Sequence, residues 1–289
     1  PRLHGYELMM ASYAIAHMKL PLKLQETGFT AWDKLSGTSR ARIYLTNALE
    51  PAQDFSDRLA FDAPALAHEA QSVNAVKQDQ RFTVIIGNPP YSNYSANLSA
   101  EARRIVDKYR SFRGLPIRER NQLQFERNIQ DDFVKFVSVG QDIINAAGCG
   151  VFGYITSATM LGSRSLRGMR ESLLGSFNKL YELNLHGGVN EIIEGVENDE
   201  NVFDIAQSVA IHVYVRSKPR GTLSVHYADL TGRRLSKYYT LASGSVERTA
   251  WQQFAPDEDN CTFSHQDEDV GGRTRRLDSL FVKFGAGIK

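Results

Sequence analysis

The 289-residue chain is 42% hydrophobic and 23% charged, an ordinary globular composition long enough for one large or two modest domains. A formal net charge of +1 excludes a protein that is basic throughout, so any nucleic-acid surface must be local. No apolar run approaches the roughly 18 residues of a membrane span; no signal peptide is expected, and two cysteines, Cys149 and Cys261, make no disulfide framework, which points to a reduced, cytoplasmic setting.

Residues 2 to 7 (Arg-Leu-His-Gly-Tyr-Glu) are predicted as a short strand ending in Glu7. Leu8 to Leu20 follow as a helix bounded by Pro21, with Leu8, Ala11, Ala14, Ile15 and Met18 on one apolar face. An acid at the end of the second strand of a doubly wound nucleotide-binding fold commonly takes a ribose diol. A Glu opening a helix equally suits the helix dipole. Residues 42 to 49 predict a further strand ending at Thr46 and Asn47, residues 50 to 63 a loop, and residues 64 to 79 a helix.

The next stretch, Phe82-Thr83-Val84-Ile85-Ile86-Gly87-Asn88-Pro89-Pro90-Tyr91, organises the chain. Its β-branched run predicts a strand buried on both faces. Two prolines then fix their own φ and hold Asn88 and Pro89 extended, which makes a stiff turn at a strand's carboxyl end. Ligands of open α/β sheets bind there. The turn offers an amide side chain, carbonyls without a competing N–H, and a planar ring. The Asn88 carboxamide oxygen and the Pro89 carbonyl suit the two N–H groups of an exocyclic amine on a flat heterocycle, and Tyr91 suits its face. A base bound in that way has left its duplex. Two other readings of the motif are a plain surface turn and an Asn-Pro-x-Tyr peptide ligand; the second needs a disordered tail, and this motif follows a buried strand.

Residues 101 to 120 carry Arg103, Arg104, Lys108, Arg110, Arg113, Arg118 and Arg120, interleaved with Tyr109 and Phe112. Beside the turn, a long mobile loop of this kind would track phosphates or close over a substrate; a solvated amphipathic helix has the same composition. A long helix is predicted over 127 to 147, a buried strand from Cys149 to Thr156, a helix over Gly162 to Phe177, and a strand over Leu180 to Leu185. Asn184-Leu185-His186-Gly187-Gly188 ends that strand. A polar acidic loop (189 to 201) leads into Asn201-Val202-Phe203-Asp204-Ile205. Next comes a strand over Gln207 to Val215, in which Val209, Ile211, Val213 and Val215 alternate with Ser208, Ala210, His212 and Tyr214. Leu223 to Leu230 predicts another strand, Thr231 to Leu241 a charged helix or hairpin, and 242 to 275 an irregular polar segment. The alternation of strands and helices predicts an α/β fold with a doubly wound, mostly parallel sheet.

Val-Ile-Ile-Gly-Asn-Pro-Pro-Tyr resembles the catalytic motif of the DNA adenine-N6 methyltransferases. The order of Glu7, Asn47, the turn, the strand from Cys149, Asn-Leu-His-Gly and Asn-Val-Phe-Asp-Ile resembles the methylase part of fused single-polypeptide restriction–modification enzymes. The resemblance implies transfer of a methyl group from S-adenosylmethionine to a flipped adenine of double-stranded DNA, and it implies no metal. Asn88, Pro89, Pro90 and Tyr91 would be catalytic. Phe203 would stack on the base opposite Tyr91, as paired aromatic faces do for about 1–3 kcal/mol per base. Glu7 would hold the cofactor ribose, and Asn47, where the family more often has Asp, its adenine amine. Residues 1 to 241 would be the catalytic domain, and 242 to 289 a segment leading towards a target-recognition domain. Nuclease, helicase and recognition modules would belong to the rest of the parent polypeptide.

The family's Gly-rich cofactor loop (acid-Pro-x-x-Gly-x-Gly) does not occur among the 22 glycines. With no Met at Pro1, an excised piece lacking its first strand is the expectation. That strand would lie in the middle of the sheet, so its neighbours would present unpaired edges. Two alternatives remain at this stage: a protein glutamine-N5 methyltransferase, whose substrate amide is equally flat, and a catalytically incompetent structural or interaction fragment.

Overall fold

The computed structural model describes residues 3–29, 41–51, 64–79, 81–90 and 95–264. Two parallel strands, β1 (Gly5–Glu7) and β2 (Ile43–Leu45), pair in register as Gly5↔Ile43, Tyr6↔Tyr44 and Glu7↔Leu45. Helix α1 (Met10–Glu26) separates them in sequence, and α2 (Pro64–Asp79) follows. The main sheet contains β3 (Val84–Gly87), β6 (Gly150–Ser157), β7 (Lys179–His186), β8 (Val209–Arg216), β9 (Ser224–Asp229) and β10 (Gln252–Phe254). Between β3 and β6 come α3 (Ala100–Arg104), a two-residue hairpin pair β4 (Ser111–Phe112) and β5 (Leu115–Pro116), α4 (Gln122–Ile129) and α5 (Asp132–Ala147). Between β6 and β7 lie α6 (Thr159–Gly162) and α7 (Arg167–Ser176), and α8 (Arg234–Ser243) precedes β10.

The strand order is β10-β9-β7-β8-β6-β3. β3 and β6 pair in parallel, as do β7 and β9, whereas β8 runs antiparallel to both β6 and β7, and β10 to β9. Four of the six strands therefore run one way, and the architecture is mixed α/β. The packed body continues past residue 242: β10 pairs with β9, and Phe263 is fully buried in the core. Residues 265 to 289 lie outside the described residues.

Sequence explains how α5 is set. Asp131 caps it by accepting from the Phe133 N–H at 3.3 Å, and Gly148 ends it at φ 79°, the left-handed conformation that glycine adopts without penalty. The face carrying Phe133, Val134, Val137 and Ile144 packs into one cluster with Phe152, Phe177, Leu180 and Tyr214. Gly140 makes this possible, because a Cβ there would sit 2.6 Å from the Phe152 ring.

The inner face of β8 is polar in part. Ala210, His212 and Tyr214 are fully buried, while Ile211, Val213 and Val215 are half-buried. Neighbouring strands supply the partners that a buried polar group requires. Glu182, opposite His212, accepts from the Tyr214 hydroxyl at 2.7 Å and bonds His212 Nδ1, while Thr156 meets His212 Nε2 at 2.8 Å.

Three expectations are corrected. β3 is not buried on both faces: Val84 and Ile86, on one face, are 58% and 85% exposed, while among the described residues it pairs with β6 alone, an unpaired edge as expected above. A β-branched run signals strand but cannot report what lies beside it. α1 continues past Pro21 to Glu26, and its apolar face is uncovered, with Leu8, Ile15 and Met18 at least half exposed. The basic segment is no loop. Val106 and Tyr109 are fully buried, and the Tyr109 hydroxyl donates to Gln141 Oε1 at 2.7 Å. Acids elsewhere in the chain take several of its cations: Lys108 pairs with Asp142 at 2.6 Å, Arg110 with Glu126 as well as Asp107, and Arg113 with Glu258 at 3.4 Å.

Candidate active site

β3 ends in Gly87, where an added Cβ would lie 2.8 Å from the ring of Tyr154. The glycine lets the strand end pass that ring and leads into Asn88, which is exposed, Pro89, which is buried, and Pro90, which is exposed. Burial of Pro89 anchors the turn and leaves Asn88 towards solvent at the carboxyl end of the strand. Gly87 pairs with Tyr154 of β6, and Ser157, at the end of β6, pairs with Val209 at the start of β8. The carboxyl ends of β3, β6 and β7 and the amino end of β8 therefore share one end of the sheet. Tyr91 lies outside the described residues.

Glu7 is the last residue of β1, and Asn47 lies two residues past the end of β2. The Thr46 N–H donates to the Glu7 carbonyl at 2.8 Å, so the two strand ends are tied together. Glu7 Oε1 accepts from the Met9 N–H at 2.8 Å, just before α1 begins. Asn47 Oδ1 accepts from the Leu49 N–H at 3.0 Å, and its Nδ2 donates to Glu50 Oε1 at 3.2 Å and Asn97 Oδ1 at 2.7 Å. Lys77 of α2 braces this corner, donating to Thr46 Oγ1 and to the carbonyls of Asn47 and Glu50. Burial holds the pKa of Lys77 below the usual lysine range. At the opposite ends of the strands the ring of His4, just before β1, meets that of Phe82, just before β3, at a centroid distance of 5.3 Å.

Phe203 sits in the loop between β7 and β8. It is half-buried against the cluster of Leu185, Val202 and Val209. One residue, Asn201, shapes this loop. Its Nδ2 donates to the carbonyls of Gly187 (3.1 Å), Ile205 (3.2 Å) and Gln207 (2.7 Å), and its Oδ1 accepts from the Phe203 N–H at 2.9 Å. Gly187, at φ 85°, is required here, because a Cβ would come within 2.3 Å of Asn201 Cα. Lys237 of α8, fully buried, pairs with Asp199 at 2.8 Å and donates to the carbonyls of Leu185 and Glu200.

The sequence reading gave no role to His186, the last residue of β7, at φ 51°. Its Nδ1 lies 2.7 Å from Glu191 Oε1 and its Nε2 2.6 Å from Asp229 Oδ1. Burial pulls its pKa down, but the bonds to the two carboxylates outweigh burial and raise it, which favours the imidazolium form. Glu191 also accepts from Ser208 and from the Gly188 N–H. The ring thus closes the base of the loop that carries Phe203. The signal in sequence was a histidine before two glycines, which marks a tight strand end but names no partner.

The comparisons with known proteins agree with this arrangement. Residues 2–186, more than half of the chain, match the family model of the Eco57I restriction-modification methylase. No curated protein matches the chain. Among solved structures it is similar to a nuclease-deletion mutant of the Type ISP restriction-modification enzyme LlaGI in complex with a DNA substrate mimic, at TM-score 0.70 and 24% identity, over 93% of this chain and 22% of that one. It is also similar to the ATP-dependent Type ISP enzyme LlaBIII bound to DNA (0.69, 23%, covering 99% and 20%) and to DrdV in a DNA complex (0.69, 22%, covering 92% and 25%). At these identities the structures show a shared fold, and the chain spans a quarter or less of the length of each. The family match, together with a fold that sets an Asn-Pro-Pro turn at the carboxyl end of a parallel strand, shows that this chain belongs to the Eco57I restriction-modification methylase family.

Proposed function

We propose that the chain is the methyltransferase part of a restriction–modification polypeptide and acts on the N6 amine of an adenine flipped out of double-stranded DNA. One observation carries the reading: the Asn88-Pro89-Pro90 turn lies at the sheet end that also holds the Phe203 loop. Asn88 Oδ1 and the Pro89 carbonyl would accept the two amine N–H groups. That pairing directs the nitrogen lone pair away from the ring plane, towards the methyl donor. No base with a strongly shifted pKa is needed, because the proton can leave to solvent after transfer; positioning supplies most of the rate. Tyr91 and Phe203 would hold the two faces of the base.

S-adenosylmethionine would supply the methyl group. The corner formed by β1 and β2 fits it: a carboxylate (Glu7) and a carboxamide (Asn47) end adjacent strands, which lie about 4.8 Å apart, and suit a ribose diol and an adenine amine. The Asn47 oxygen takes one N–H from Leu49, and an amide oxygen has two lone pairs. The sheet is read as doubly wound with its first strand missing. β1 and β3 would flank that strand, whose following Gly-rich loop would complete the cofactor site; among the described residues β1 pairs with β2 alone and β3 with β6 alone, which supports this. The DNA held by LlaGI, LlaBIII and DrdV supports a DNA substrate here; nuclease, helicase and recognition modules would lie elsewhere in the parent chain, and the whole would act in the cytoplasm.

Asn88→Ala in the complete enzyme tests the assignment. Loss of one preorganised hydrogen-bonding group costs roughly 10²–10³-fold in kcat, while cofactor affinity should hold. Unchanged methyl transfer to adenine would overturn it.

A further inference from the structure

The first turn of α5 buries two acids and a lysine: Asp131, Asp132 and Lys135 are 8%, 3% and 0% exposed. A lysine with no exposed surface requires partners for all its N–H groups. Lys135 Nζ lies 3.6 Å from Asp132 Oδ1 and donates to Ser95 Oγ at 2.6 Å and to the Asn97 carbonyl at 2.7 Å. Asp132 accepts from the Ser95 hydroxyl at 2.5 Å and from the Ala96 N–H at 3.2 Å, on a helix end where the dipole favours a carboxylate. Apart from each other, the two charges are directed at one three-residue segment, Ser95 to Asn97. That segment begins five residues after Pro90. It also reaches the cofactor corner, because Asn97 Oδ1 accepts from Asn47 Nδ2 at 2.7 Å. Mere stability would not need this, since an apolar pair of similar volume commonly serves as well as a buried ion pair.

We propose that Asp132 and Lys135 are a positioning pair that fixes the chain downstream of the Asn88 turn and ties it, through Asn97, to Asn47; the inference rests on the function proposed above. β3 holds the turn on its amino side and the ion pair holds the chain again at 95–97. The amine acceptors and the cofactor corner are thereby kept at a fixed separation, and a displacement of about 1 Å between reacting groups costs on the order of 10²-fold in rate.

The test uses the complete enzyme and three variants: Ser95→Ala, Asp132→Asn, and the charge-free double Asp132→Asn/Lys135→Met. Ser95→Ala removes the shared hydroxyl at little risk to folding. Methyl-transfer kcat should fall tenfold or more in each, with KM for S-adenosylmethionine within threefold of wild type. The amides of Ala96 and Asn97 should exchange with deuterium at least tenfold faster. The proposal is overturned if kcat stays within twofold of wild type in all three, if those two amides exchange no faster, or if kcat falls only in step with global unfolding. A wild-type enzyme that methylates no adenine overturns the proposed function instead, and exchange at Ala96 and Asn97 still decides whether the pair holds the segment.

Discussion

Asn201→Ala isolates the loop that presents Phe203. The carboxamide makes contacts to three carbonyls and one N–H from a site only 7% exposed. Two N–H groups cannot give three full bonds, so the side chain is counted as three net hydrogen bonds rather than four. At about 0.5–1.5 kcal/mol each, with the upper part of the range favoured by burial, loss of the amide costs about 2–4 kcal/mol. The cost falls on the loop, because all four partners lie between Gly187 and Gln207. If the loop serves methyl transfer only through Phe203, the catalytic loss cannot exceed that of Phe203→Ala. Stacking of about 1–3 kcal/mol sets that limit at roughly 5- to 150-fold in kcat/KM. The assay is a double-mutant cycle on methyl transfer, with 2-aminopurine fluorescence at the target position reporting base placement. The double variant should lose no more than Phe203→Ala alone, so the coupling equals the whole loss caused by Asn201→Ala alone. Independent, additive losses would refute the link between Asn201 and Phe203.

Further consequences concern pH and the core. His186 has a raised pKa, so its ion pairs stabilise the loop fully below the unfolded value of about 6.5 and are lost as pH rises through the higher folded value. Glu191 has a lowered pKa despite its burial, because Ser208, His186 and the Gly188 N–H bond its carboxylate. Its share is present above the unfolded carboxylate value and lost as pH falls through the folded one. An NMR titration of His186 should therefore give a pKa above 6.5, and a value at or below it would show that the two carboxylates do not stabilise the imidazolium. Arg170 is fully buried and donates to the carbonyls of Met160, Ser163, Asn260 and Cys261 at 2.8–3.2 Å; burial lowers its pKa to about 10. Arg170→Met leaves those carbonyls without their donor and should destabilise the chain by about 3–5 kcal/mol in urea unfolding. A loss under 1 kcal/mol would show that the residues around 260 are held by other contacts.

Legibility in the sequence divides along physical lines. The β6, β7, β8 and β9 strands announce themselves by β-branched and aromatic runs, and α5 by its Asp131 cap and Gly148 stop, because these signals are local. The turn at Asn88 could be read because two prolines leave little conformational choice. What covers a face is not a local property, so the apolar run of β3 reads as buried on both faces and the apolar face of α1 as a core face, although both are open. Pro21 reads as a helix end, yet it removes only one donor and α1 continues past it. The basic run at 101–120 looked solvated because its counter-charges, Glu126, Asp142 and Glu258, come from later in the chain. His186 was missed for the same reason: Asp229 meets it only through the pairing of β7 with β9.

The most direct measurement is the identity of the methylated nucleoside formed on double-stranded DNA by the complete enzyme with S-adenosylmethionine, read by mass spectrometry beside an Asn88→Ala control. N6-methyladenine from wild type, with at least a hundredfold less from the variant, is the expected result. Methylated cytosine, or N6-methyladenine formed equally well without Asn88, would contradict the assignment of this turn to the adenine amine.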